Sequence, residues 1–161
     1  MGSCMTLSLE AGVLKQIPMF REVELGKLKL MAFASERIRY APGEFIVQEG
    51  DSPDAVYVVL SGTVEVLRNG PQGPVRVATL RDGAIVGELA VLCDSLRTAS
   101  IAAVGEVWML KIEKSIFLDM MMHSPQLAMA VNRELARRLE GMLASISPNA
   151  PSSQAGQGGK A

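Results

Sequence analysis

The chain has 161 residues, 48% hydrophobic and 20% charged, with a formal net charge of −1. That length builds one well-cored globular domain rather than two. The charge argues against a general nucleic-acid binder, and the two cysteines, Cys4 and Cys93, exclude a disulfide framework or a four-cysteine cluster made by this chain alone.

No stretch approaches the roughly 18 apolar residues of a membrane span. No secretory signal is visible, and the cysteine count suits a reducing compartment, so a cytoplasmic location is expected. Residues 1–6 are expected to be flexible. Over 7–34, apolar positions recur at helical spacing: Leu25, Leu28, Met31 and Ala32 share a face, with Lys27 and Lys29 off it. Pro18 divides this region into two short helices.

From Arg37 to Ile112 the pattern becomes short runs broken by turn residues. Arg37–Tyr40 ends at Pro42-Gly43, Phe45–Gln48 at Gly50-Asp51-Ser52-Pro53, and Val56–Leu60 at Ser61-Gly62. Val64–Leu67 precedes a Gly/Pro-rich turn, Val75–Thr79 alternates, and Thr98–Ala103 and Val107–Ile112 close the series. Short strands at regular spacing indicate a sandwich, jelly roll or barrel. One helical turn, Gly87 to Leu92, interrupts them. After Ile112 the helical period returns. Ser124-Pro125 is a start signal, a capping hydroxyl before a proline. Leu127, Val131, Leu135, Leu139 and Met142 then form an apolar stripe, and Glu134 and Arg138 are spaced to pair. The helix is expected to end near Ser145, giving a domain over 7–146 and a disordered Pro/Ser/Gly-rich tail over 147–161.

The stretch Val86 to Ser100 carries the chemistry. A glycine opening a helical turn leaves backbone N–H groups that favour an anion. Arg97, nine residues after Glu88, can fold back and fork onto the same anion. A carboxylate cannot bind a phosphate, but Glu88 can accept from a hydroxyl beside it. A ligand with a phosphate and an adjacent hydroxyl, such as a ribose cyclic phosphate, meets both demands.

This stretch resembles the phosphate-binding cassette of cyclic nucleotide-binding domains, whose usual form is Phe-Gly-Glu-Leu-Ala-Leu, a short spacer, then Pro-Arg-Ala/Thr-Ala. The resemblance takes in Gly43, Gly50, Gly62 and the run Tyr57 to Gly62, and spans roughly 10–145. It implies a mainly β, α+β fold: an eight-stranded β-roll or jelly roll with N-terminal helices, a short cassette helix and C-terminal helices. It implies that Glu88 accepts from the ribose 2′-hydroxyl and Arg97 pairs with the cyclic phosphate. Backbone N–H groups from Gly87, Glu88, Leu89 and Ala90, with Thr98 and Ala99, complete the cradle. The final helix lids the base, with Leu135, Arg138 and Leu139 as candidates. The ligand is cAMP or cGMP; no cofactor or metal is expected, and no enzymatic activity. The helix-turn-helix of transcription-activating relatives does not follow the long helix, so direct DNA binding is not expected. The expected protein is a stand-alone, bacterial-type regulatory sensor that signals by rearrangement of the C-terminal helix, its output passing through a homodimer at that helix or through an effector protein; a ligand-free interaction module, or a sensor fragment of a larger transcription regulator or channel, is the alternative reading.

Two positions depart from the pattern. Val86 replaces an aromatic residue, and Leu96 replaces the proline that stiffens the loop, which predicts a looser Arg97. Cys93 is read as a buried filler and His123 as a surface or capping residue. Arg133, Arg137 and Arg138 are read as a solvated face unless one reaches the base. A cut before Val131 is expected to leave a folded roll.

Overall fold

The computed structural model describes residues 11–146; Cys4, the segment 1–6 and the tail 147–161 lie outside the described residues. A helix over 11–16 (α1) leads through a 3₁₀ turn, Pro18–Phe20, into α2, Leu25–Phe33. Leu28, Met31 and Ala32 are buried, as the spacing predicts, whereas Leu25 stays exposed.

Six antiparallel strands follow among the described residues: β1 (Glu36–Tyr40), β2 (Phe45–Val47), β3 (Ala55–Gly70), β4 (Gly73–Arg81), β5 (Ile85–Val86) and β6 (Ser100–Glu113). The main path is β1-β6-β3-β4, with β2 on β6 and β5 on β3. The roll is therefore built from six strands, not eight. Two pairs of expected strands run together, Val56–Leu60 with Val64–Leu67 in β3, and Thr98–Ala103 with Val107–Ile112 in β6. Residues that read as turns in sequence are absorbed as bulges. The β3–β6 register shifts between Val59 and Ser61 and again between Ser61 and Thr63, so the long strands bend without breaking.

Gly62 makes that bend. Its φ is +109°, and an added Cβ would lie 2.6 Å from the Glu106 carbonyl oxygen. Only glycine allows this approach. Gly62→Ala is expected to cost about 1–3 kcal/mol, the range for a side chain forced into such a conformation. Thermal unfolding should show a midpoint lowered by several degrees; an unchanged midpoint would mean that the bend is not specified there.

The run Ala55-Val56-Tyr57-Val58-Val59 is continuously apolar because both of its faces are covered. Val56 and Val58 join Ile85, Leu110 and Ile112 against the helices, where Leu14, Phe20, Leu28, Phe117, Leu127 and Val131 are buried. Tyr57 and Val59 point to the other side, into the roll with Val64, Val86, Ile101, Val107 and Met109. This alternation places β5 and the segment after it at the seam between the two cores.

Three helices complete the domain: α3 (Glu88–Cys93), α4 (Lys114–His123) and α5 (Pro125–Ser145). The Ser124 hydroxyl oxygen accepts from the Leu127 N–H at 3.3 Å, with Pro125 at the first helical position, so the start signal is the observed cap. The α5 stripe is covered over only half its length. Leu127 and Val131 are buried and Leu135 is partly buried, but Leu139 and Met142 are 56% and 63% exposed.

Candidate functional site

Strand β5 delivers the chain to Gly87, whose φ of +79° turns it sharply into α3. A Cβ there would meet the Arg97 Nη1 at 2.7 Å, so glycine is required for the turn and for the arginine's seat. Helix α3 ends at Asp94, itself left-handed, and the Ser95 N–H donates to the Ala90 carbonyl at 3.0 Å. The chain then folds back to Arg97. Its N–H donates to the Asp51 carbonyl and its carbonyl accepts from the Gly50 N–H, both at 2.8 Å. Two bonds to one turn hold this backbone, so the Leu96 substitution does not leave Arg97 loose. Leu96 itself is exposed.

The Arg97 side chain is buried, 4% exposed. Nη1 donates to the Gly87 carbonyl and Nη2 to the Ala55 carbonyl, each at 2.6 Å. Asp54 supplies a carboxylate oxygen 3.6 Å from Nη2. Nε is buried with no partner among the described residues. An orphaned donor on a cation is costly unless something arrives to accept from it.

Glu88 opens α3 and is 2% exposed. Its Oε1 accepts from the Arg138 Nη1 at 2.8 Å, across from α5. Arg138 also donates to the Ile85 carbonyl at 2.6 Å and to Glu134 at 3.3 Å. Burial pushes the Glu88 carboxyl above its ordinary value, and the Arg138 guanidinium pulls it part of the way back.

These groups line one pocket of about 100 Å³ that opens to solvent. Its lining combines the charged Glu88, Arg97 and Arg138 beside Gly87 with apolar Val47, Val66, Leu80 and Ile101 from four strands. A cation and a carboxylate in an otherwise apolar pocket can bind an anion and a hydroxyl while a flat apolar group packs on the apolar side chains. Residues 37–124 match the cyclic nucleotide-binding domain family.

This chain belongs to that family.

The domain is 35% identical over 104 residues to a cAMP-dependent protein kinase regulatory subunit of Aspergillus niger, covering 65% of this chain and 25% of that protein. It is 29% identical over 112 residues to the lysophospholipase nte1 of Aspergillus niger, covering 69% of this chain and 7% of that one. The chain thus spans a small part of the curated relatives it matches. Among solved structures, the catabolite activator protein of Thermus thermophilus superposes with a TM-score of 0.70 at 28% identity, over 80% of this chain and 61% of that one.

Within this cyclic nucleotide-binding domain, all seven cassette residues singled out in sequence line the pocket: Gly87, Glu88, Leu89, Ala90, Arg97, Thr98 and Ala99. Of the three lid candidates, only Arg138 does. Leu135 packs against the helical core, and Leu139 lies exposed on the next turn, because the helix turns that part of its stripe away from the pocket. Arg138 is not part of a solvated face, although Arg133 and Arg137 are exposed. Cys93 is exposed at the end of α3 rather than buried, since α3 turns Ala90 and Val91 inward instead. His123 ends α4 on the surface, its Nδ1 within 2.8 Å of the Asp119 carbonyl. The apolar wall was missed in sequence. Its members are single inward positions on four strands, and only the fold shows that they converge.

Proposed function

We propose that this domain is a non-catalytic regulatory sensor that binds a cyclic nucleotide, cAMP first, in the pocket between α3, β6 and α5. The observation that carries the reading is the buried Arg97 with its unpartnered Nε, lining the same pocket as the buried Glu88. A cyclic phosphate would accept from Nε and one terminal nitrogen as a side-on fork. The ribose 2′-hydroxyl would donate to Glu88, and the base would lie along Val47, Val66, Leu80 and Ile101. The name of the kinase regulatory subunit supports cAMP over cGMP as the first ligand to test.

The Arg138–Glu88 pair favours one rival. A guanidinium already on the carboxylate is what a self-satisfied pocket in a pure interaction module would have. Calorimetry with cAMP and cGMP separates the two. Saturable binding of either at one site per chain supports the sensor; no heat with either removes it.

Wild type should prefer cAMP over 2′-deoxy-cAMP, and Glu88→Ala should bind the two alike. The loss of cAMP affinity should be about 1.5–3 kcal/mol, the range for a hydrogen bond to a charged group, or roughly 10- to 150-fold. Equal binding of the two nucleotides by wild type would remove Glu88 from this role. The preference should also depend on pH. Only the ionised carboxylate is a pure acceptor, so discrimination is full above the Glu88 pKa and fades as pH falls through it. Because burial raises that value above 4.5, the loss should begin at a higher pH than for an exposed glutamate. The folded state binds more protons than the unfolded one across that window, so the ligand-free domain should gain stability as pH falls through it. A titration of the cAMP to 2′-deoxy-cAMP affinity ratio reads the first effect directly.

The output would leave through α5. Leu139, Met142, Leu143 and Ile146 are exposed on its last turns, a surface on which a second copy or an effector can pack.

A further inference from the structure

Away from the nucleotide pocket, a second concavity runs between the 3₁₀ turn Pro18–Phe20, the β4–β5 turn and the outer face of α5. It consists of two adjoining cavities of about 310 and 370 Å³ that share Pro18, Met19, Ala130 and Arg133. Arg81 and Arg137 line the first and Arg21 the second. Four arginines thus border one groove in a chain whose net charge is −1, so this is a local feature and not a reflection of composition.

Three carboxylates share the groove with the four arginines, leaving its lining one positive charge in excess (4 − 3). Asp82 accepts from the Gly62 N–H at 2.8 Å and keeps its charge. Glu134 accepts from Arg137 at 3.4 Å and from Arg138 at 3.3 Å. Glu22 and Asp82 are left against Arg21, Arg81 and Arg133, none of which forms an ion pair with a described residue. The floor is apolar, with Pro18 and the buried Met19, and Met129 stands half exposed at the rim. Methionine adapts its shape to whatever packs on it.

We infer that this groove is a docking site for an acidic segment of a partner protein, carboxylates forking onto Arg81, Arg133 and Arg137 and an apolar side chain seated over Met19. Charge complementarity selects the occupant. Arginine forks match carboxylates two bonds at a time. A duplex would need basic surface well beyond a single groove to neutralise its phosphates. A bilayer would need a broad apolar face, which this recessed floor does not offer. The site also lies on the helix that reaches the nucleotide pocket, and Glu134 joins the two by accepting from Arg137 on one side and Arg138 on the other. A partner seated here would read the position of α5. The inference does not depend on the nucleotide assignment and is tested without nucleotide.

The test is fluorescence anisotropy on the full chain with a short fluorescein-labelled peptide of alternating glutamate and leucine. Saturable binding that weakens with added salt is expected. Arg133→Glu, which reverses the charge shared by both cavities, should weaken binding at least about tenfold, since like charges across an interface repel. Arg81→Glu gives an independent second reading, and Arg76→Glu on the exposed strand β4 serves as a control that should leave the affinity unchanged. The inference is overturned if both groove variants bind within about twofold of wild type, a difference well under 1.4 kcal/mol. It is also overturned if the peptide does not bind. Preferential uptake of a DNA duplex or of phosphatidylserine vesicles at matched charge would assign the groove to another class of partner and likewise overturn it.

Discussion

Arg97→Ala is expected to weaken cAMP binding by roughly 30-fold to several thousand-fold, because truncating one member of a desolvated charge pair costs about 2–5 kcal/mol. The side chain does two jobs, and the experiment must separate them. Its terminal nitrogens satisfy the Gly87 carbonyl, beside the pocket, and the Ala55 carbonyl. Removing them leaves buried acceptors unpaired, at about 1–3 kcal/mol each. The ligand-free variant should therefore also melt earlier than wild type. Adenosine, which lacks the phosphate, isolates the ligand contact. At a temperature where both proteins are folded, Arg97→Ala should bind adenosine nearly as wild type does while losing cAMP. Arg97→Lys should retain part of the fold stability and little of the phosphate affinity, since an ammonium cannot bond two carbonyls and fork onto an anion together. If Arg97→Ala binds cAMP within about threefold of wild type, the phosphate does not sit on this arginine.

The cassette was legible in sequence because its chemistry is local. Gly87, Glu88 and Arg97 lie within one short loop-helix-loop segment, and a left-handed glycine before a helical turn dictates its geometry whatever surrounds it. Strand count was not legible for the opposite reason. Ser61-Gly62 carries the composition of a turn, yet Gly62 occupies a bulge in a continuous strand, and only the pairing of β3 with β6 decides between the two. The loop before Arg97 teaches the same lesson from another side. The sequence lacks the stiffening proline at Leu96, but Gly50 and Asp51, far away along the chain, supply two backbone bonds that hold the loop in its place. Two of the lid candidates, Leu135 and Leu139, share one apolar stripe, and their order along it could not say where the stripe leaves the core. The Arg138 contact with Glu88 depends on the angle at which α5 crosses the roll, a tertiary quantity with no signature in local spacing.

The crossing of α5 also changes what truncation should do. A cut before Val131 would remove a residue with no exposed surface, packed among Phe20, Leu28, Phe117 and Leu127, together with the partly buried Leu135. Losing buried aliphatic side chains of this size costs about 2–5 kcal/mol apiece at most, enough to unfold a marginal domain. The short form should therefore be strongly destabilised rather than an intact roll. A cut after Leu135 is different. It keeps the core and removes Arg138 with the exposed turns beyond it. That form should fold, keep the phosphate contact, and bind cAMP more weakly, with less preference for the ribose hydroxyl because Glu88 has lost its positioning partner. Hydrogen exchange on the full chain then reports how the signal travels. A ligand can move α5 only by the difference in its affinity for the two helix positions. The first half of α5 is anchored by Leu127 and Val131 and should exchange slowly with or without cAMP. Amides over 136–145 should exchange quickly without nucleotide and slow down with it, along with the cassette from Gly87 to Arg97. If only the cassette gains protection, α5 beyond Leu135 is a passive extension and the switch lies elsewhere in the domain.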